Sequence, residues 1–224
     1  MESTNRSGIF AKTLAISKSA FMRGDPVHFK ETEPLIIQLL GQARAGKDFT
    51  AAQLKLYYEA VGKSVEIMSY AAPMKQIAAT LFGISLEQLD DFKNQPINYP
   101  VTLMSRYSGE SIVNMDMRTI LQRMGNEAIK PLFGDAVWAN LMQSAISKSS
   151  ADIIIIPDCR FTVELEAIGG TTIRVINTAL PPPMQHASEL ELAHTSTDFV
   201  LDNTNYQATS ADIAELANRV YPIA

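Results

Sequence analysis

The sequence contains a single cysteine, Cys159, in 224 residues. No disulfide can therefore close within the chain, and a reducing compartment such as the cytoplasm suits it. No apolar run approaches the roughly 20 residues that a membrane-spanning helix needs, and the N-terminus carries no apolar core of a secretion signal. Neither membrane insertion nor export is expected. A basic excess is also missing, with 19 Lys and Arg against 24 Asp and Glu, a net charge of −5. A nucleic-acid groove shows the opposite balance, so no nucleic-acid partner is expected. Small phosphorylated ligands stay open, because they need only a few local cations. The three histidines, His28, His186 and His194, stand at no metal-ligand spacing. There is no internal repeat and no low-complexity segment.

What is present begins at Leu35–Thr50, LIIQLLGQARAGKDFT. Leu35, Ile36, Ile37, Leu39 and Leu40 make a short apolar run, followed by Gly41, then Gly46-Lys47, then a helical continuation. Strand, glycine loop and helix are the context of a P-loop. The glycines let successive N–H groups converge on one anion. Lys47 adds a point charge, and the helix behind it turns its positive end to the same place. One position departs from the pattern. A Ser or Thr that would hold Mg²⁺ is expected after the lysine; Asp48 stands there, and the nearest hydroxyl is Thr50.

With 46% hydrophobic and 19% charged residues, the chain reads as globular. Residues 1–33 read as a loosely held extension or a packing arm that lays Phe10, Leu14, Ile16 and Phe21 on the main domain. From Pro34 onward, strands and helices alternate as one domain. Strands are expected at Leu35–Leu40, Ser64–Ser69, Asp152–Ile156, Thr171–Ile176 and Phe199–Leu201. Helices are expected at Lys47–Val61, Pro73–Phe82, Leu86–Phe92, Asp116–Ile129, Asp135–Ser147, Phe161–Ile168 and Ser210–Tyr221. Residues 93–115 carry two prolines and many polar groups and read as a long loop, of the kind that is often functional. The fold class is α/β, a central, mostly parallel sheet with helices on both faces.

Ligands of open α/β sheets sit beyond the carboxyl ends of the strands. Beyond the four-isoleucine strand come Asp158, Cys159, Arg160 and, one turn on, Glu164. Asp158 could hold Mg²⁺ or its water shell, or could cap the next helix. Arg160 and Glu164, four apart, could pair on the helix surface or face a phosphate. In the Asp116–Ile129 helix, Met117, Ile120, Leu121, Met124 and Ala128 make an apolar stripe. Arg118, Gln122, Gly125 and Asn126 make a polar stripe opposite it. The mid-helix glycine costs about 1 kcal/mol against alanine, which suggests a close approach by another group there. Trp138 reads as core or as a stacking platform, and Cys159 as a small buried filler.

Six segments in order, GQARAGKD, RTILQRMGNE, FGDAVW, IIIIPDCRFTVELEAI, HASE and DFVLDNT, resemble the bacteriophage deoxynucleoside monophosphate kinases. The resemblance runs from about Pro34 to the C-terminus. It implies the P-loop NMP kinase-like three-layer fold. It also implies transfer of the γ-phosphoryl of ATP to deoxynucleoside 5′-monophosphates with Mg²⁺, serving dNTP supply in the host cytoplasm, and a homodimer. An Asp after the P-loop lysine is usual in that family, so Asp48 fits it. The Thr found next in the family is displaced here by Phe49.

By the same resemblance, Gly41, Arg44, Ala45, Gly46, Lys47, Asp48 and Thr50 hold ATP. The metal falls to Asp48, Thr50 or Asp158, and Asp158, Arg160 and Glu164 lie near the reacting phosphates. Arg118 binds the acceptor phosphate, with Gln122, Gly125 and Asn126 beside it and Trp138 walling or stacking on the base. The family often has Thr where this chain has Asn126. Residues 93–115, with Arg106 and Tyr107, would close over the acceptor as a mobile loop. Residues 177–190 suggest a lid, and HASE carries no assignable role. Two rival readings stay open: another P-loop small-molecule kinase, of phosphomevalonate or dephospho-coenzyme A type, and a nucleotide-binding regulator that has lost transfer.

Overall fold

The computed structural model describes residues 33–94, 98–105, 109–181 and 190–222. The chain divides at Glu33–Pro34 into two units, and apart from Glu33 the described residues belong to the second. The expected packing of Phe10, Leu14, Ile16 and Phe21 lies outside them.

The elements are β1 (Leu35–Leu40), α1 (Lys47–Ala60), β2 (Val65–Ile67), α2 (Ala72–Phe82), α3 (Leu86–Asn94), β3 (Asn98–Ser105) and β4 (Gly109–Asp116). Then come α4 (Met117–Arg123), a π-helix (Met124–Ile129), α5 (Lys130–Phe133), α6 (Val137–Ile146), β5 (Ile153–Ile156), α7 (Thr162–Ile168), β6 (Thr171–Ile176) and β7 (Phe199–Asp202). A 3₁₀ turn (Thr204–Tyr206) leads to α8 (Ser210–Val220). Five strands form one sheet in the order β2-β5-β1-β6-β7, and every pairing in it is parallel.

Alternation along the strands sorts the side chains into two layers. Ile37 and Leu39 of β1 and Ile153 and Ile155 of β5 face one side, where Leu54 and Tyr58 of α1 and Ile213 and Leu216 of α8 cover them. Leu40, Ile154 and Ile156 face the other side, with Trp138 and Met142 of α6 and Cys159. Both faces of the sheet are thus covered, which is why these strands read as nearly continuous apolar runs. The fold is the expected three-layer α/β sandwich around a parallel sheet. A third cluster, away from the sheet, joins Ala78 and Ala79 of α2, Leu89 of α3, Met115 of β4 and Met117, Ile120 and Leu121 of α4. Among the described residues, no helix is long and apolar enough to cross a membrane.

Two expectations about the elements are corrected. Residues 93–115 are not a long loop: β3 and β4 pair antiparallel, from Asn98 opposite Asp116 to Ser105 opposite Gly109. Val101, Leu103 and Thr102 on one strand and Ile112 and Val113 on the other supply the β-branched and apolar residues that favour a hairpin. A two-stranded sheet consists only of edges, so Pro100 is tolerated within it. Arg106 and Tyr107 lie outside the described residues.

The Asp116–Ile129 helix is also not continuous, because α4 gives way to a π-helix at Met124. The wider turn rotates the residues beyond it, so Ala128 is exposed while Met117, Ile120 and Leu121 stay buried. Asp116 is the N-cap, accepting from the Thr119 N–H at 2.7 Å. Likewise Thr209 caps α8.

Candidate active site

The loop between β1 and α1 is shaped by backbone that favours glycine. Gly41 has φ +140° and Gly46, the residue before α1, has φ +100°. A Cβ on Gly41 would lie 2.3 Å from the Val175 carbonyl oxygen, so the loop can run against β6 only with no side chain there. Arg44 is exposed, also at positive φ (66°), while Ala45 is buried. The Lys47 side chain folds back over the loop. Its Nζ donates to the carbonyls of Gly41 (2.7 Å) and Gln42 (2.8 Å) and is largely shielded from solvent. The lysine, the glycine-shaped loop and the N-terminus of α1 thus lie together, an arrangement that could hold an anion.

Asp48 and Thr50 part company in the first turn of α1. The Asp48 side chain is exposed. Thr50 is fully buried, and its hydroxyl donates to the Gly46 carbonyl at 3.0 Å. Two positions along a helix turn a side chain by about 200°, so Thr50 faces the core when Asp48 faces solvent.

At the end of β5, Asp158 fastens the loop after β2. Its Oδ2 accepts from Ser69 Oγ at 2.6 Å and the Ala71 N–H at 3.0 Å, and its Oδ1 from the Tyr70 N–H at 3.0 Å. A carboxylate offers about four lone-pair sites; three are occupied, which leaves little room for a metal bond. Nor does Asp158 cap α7. Phe161 holds the N-cap position, and the Glu164 carboxylate accepts from the N–H groups of Arg160 (3.0 Å) and Phe161 (3.2 Å).

Glu164 is thus a buried capping residue and not a surface partner in an i,i+4 pair. Burial pushes its carboxyl up to about 7, against the opposing pull of those two N–H groups and of Lys130. Lys130 lies over the Phe161 ring, 3.6 Å from its centre. Beneath, Gln38 donates to the carbonyls of Leu165 (3.2 Å) and Gly169 (2.8 Å). The Tyr70 hydroxyl lies 3.1 Å from Gln38 Oε1 and 3.0 Å from the Glu164 carbonyl.

Arg118, Gln122 and Asn126 are half-buried on α4 and the π-helix. Gly125 faces inward, and a Cβ there would meet Met74 Sδ at 3.0 Å. The close approach at this mid-helix glycine is a methionine of α2. Trp138 is buried on α6 and walls a cleft of about 380 Å³ with Ser69, Tyr70 and Pro73. None of Arg118, Gln122 or Asn126 lines that cleft. Lys47, Asp158 and Arg160 are brought to neighbouring strand ends of β1 and β5; Arg118, Gln122 and Asn126 sit on a separate layer. Among the described residues, no three His, Cys, Asp or Glu side chains group as metal ligands. His186 and the rest of the HASE segment lie outside the described residues, as does most of the suggested lid.

Sequence reasoning missed Asn203, at the end of β7. It is buried, and its Nδ2 donates to the Ala45 carbonyl at 2.8 Å. The only available signal was its place in DFVLDNT, immediately after a strand.

No family model matches this sequence, and a comparison with curated proteins finds no match. Among solved structures, the chain is similar to a "putative kinase" from Chloroflexus aurantiacus j-10-fl, at 16% identity and TM-score 0.42 over 85% of this chain and 97% of that one. A sugar kinase from Janibacter sp. HTCC2649 matches at 13% and 0.39, over 85% and 96%. A "possible uridine kinase" from Bacillus stearothermophilus matches at 13% and 0.32, over 86% and 99%.

Proposed function

We propose that this protein is a kinase that moves the γ-phosphoryl group of ATP onto a deoxynucleoside 5′-monophosphate, giving the diphosphate and ADP. The observation that carries the donor half is the loop Gly41–Lys47. It is a glycine-shaped anion cradle at the carboxyl end of the central strand of a parallel sheet, with a lysine folded across it. The acceptor half rests on the ordered motifs and on the cations near them.

An acceptor phosphate oxygen attacks the γ-phosphorus in line, and the bond to the β–γ bridging oxygen breaks as ADP leaves. Phosphoryl transfer of this kind needs positioning and charge neutralisation and little covalent help. Lys47 leaves the loop carbonyls for the β- and γ-phosphates, which the loop amides hold. Arg160, at the neighbouring strand end, shields the transferring group, and Arg118 binds the acceptor phosphate. Gln122 and Asn126 then orient the nucleotide, and Trp138 stiffens the wall behind Ser69 and Tyr70. Mg²⁺, when bound, would neutralise charge on the ATP phosphates. Asp48 fits it best, because its carboxylate is exposed beside Lys47 while Thr50 is buried and Asp158 is engaged by three donors. A homodimer, a cytoplasmic setting and a role in dNTP supply during phage DNA synthesis belong to the same reading.

The test is label transfer. With γ-labelled ATP, Mg²⁺ and each deoxynucleoside monophosphate, the label is expected in the diphosphate product. ATP binding without labelled product on any monophosphate contradicts the reading.

A further inference from the structure

We propose that Asn203 is a positioning residue for the ATP phosphates, fixing the peptide that precedes the P-loop lysine; this rests on the reading that Gly41–Lys47 holds ATP. Asn203 comes directly after β7, an edge strand two removed from β1. Its backbone N–H donates to the Ile176 carbonyl at 2.7 Å, so its place is set by the sheet. Its side chain makes two further bonds: Nδ2 donates to the Ala45 carbonyl at 2.8 Å, and Oδ1 accepts from the Ala208 N–H at 3.2 Å.

In a trans peptide the C=O and the next N–H point in opposite directions. By drawing the Ala45 carbonyl toward itself, Asn203 aims the Gly46 N–H the other way. That N–H belongs to the residue just before Lys47, where an anion is cradled. The fit admits little else: a Cβ on Gly46 would lie 2.2 Å from Asn203 Nδ2. Gly46 and Asn203 are therefore a matched pair, a residue without a side chain against one short side chain that both donates and accepts. Aspartate keeps the shape and the bond to Ala208 but turns the donor toward Ala45 into a second acceptor. Alanine removes both bonds.

The experiment uses the full chain and titrates a fluorescent ATP analogue with Mg²⁺ into the wild type, Asn203→Asp, Asn203→Ala and Lys47→Ala, each first shown to be folded by thermal melting. Asn203→Asp is expected to weaken nucleotide binding by about tenfold to a hundredfold, the range an unpaired buried polar group produces. Asn203→Ala is expected to weaken it less. In turnover, KM for ATP rises while KM for the monophosphate, at saturating ATP, stays within about twofold. Should Asn203→Asp not fold, Asn203→Ala carries the same comparison. A lowered melting temperature with unchanged ATP affinity and unchanged KM for ATP makes Asn203 a merely structural residue and overturns the proposal. If the wild type itself binds no ATP, and Lys47→Ala makes no difference, the P-loop reading falls first and Asn203's role falls with it.

Discussion

The two ends of the candidate site are built differently. At the proposed donor end, the ends of β1, β6 and β7 are tied to one another within a few residues. Lys47 bonds back onto Gly41 and Gln42, Gln42 Nε2 reaches the Pro181 carbonyl at 2.6 Å, and Asn203 holds Ala45. At the proposed acceptor end, half-buried polar side chains stand on a short helix that loosens into a π-helix, packed with a hairpin and α2 in a separate cluster. Under the proposed function, a cradle for the phosphates common to every ATP can be rigid. Under the same proposal, a surface that selects one nucleotide would be assembled from distant segments, and π-helical turns recur at functional places.

That contrast is broken or sharpened by five substitutions. The largest effect is expected from Lys47→Ala, which should lower transfer by at least about a thousandfold with the melting curve little changed. Normal turnover there removes the donor site. Next come two glycines. Gly41→Ala drives a Cβ into the Val175 carbonyl at 2.3 Å and should cost about 3 kcal/mol. Gly125→Ala meets only the flexible end of Met74 at 3.0 Å and gains helix propensity, so it should change stability by less than about 1 kcal/mol. Denaturant titration of both variants decides. Equal losses would mean that the acceptor end is as tightly fitted as the donor end.

Arg118→Ala should cost about a hundredfold in kcat/KM for the monophosphate, the scale of one lost charge clamp, and leave ATP binding intact. Unchanged kinetics would remove Arg118 from the acceptor site.

A further effect appears in a pH profile. Burial raises the Glu164 carboxyl from its usual 4.5 to about 7 in the folded protein. Between those values the folded state holds a proton that the unfolded state has lost. Stability from this group is therefore full below about pH 4.5 and falls as pH rises toward 7, by at most about 1.4 kcal/mol per pH unit. Glu164→Gln keeps an acceptor for the Arg160 and Phe161 N–H groups and should flatten that slope. An identical slope in the variant places the titration elsewhere.

The sheet and the glycine loop after β1 were legible in the sequence because their signals are local. Leu35–Leu40 and Thr171–Ile176 form strands with the bounds that their apolar patterns indicate, and Gly41, Gly46 and Lys47 lie within seven residues of one another. The hairpin was hidden by its prolines and polar residues, which look like loop until strand pairing satisfies them. Ala128 was misplaced because a regular 3.6-residue period cannot anticipate a π-helix. Glu164 and Arg160 are spaced like a surface pair, and only burial reveals that the carboxylate caps backbone N–H groups. Asn203 stands 158 residues from Ala45, a partnership no local spacing could announce.

The most direct test of the account is an acceptor panel. ADP release from ATP and Mg²⁺ is measured with the four deoxynucleoside monophosphates, their ribonucleotide counterparts, phosphomevalonate and dephospho-coenzyme A. Phosphorylation of at least one deoxynucleoside monophosphate, in preference to the two non-nucleoside-monophosphate acceptors, is the predicted result. Turnover on one of those two alone, or ATP binding with no turnover on any acceptor, would contradict it.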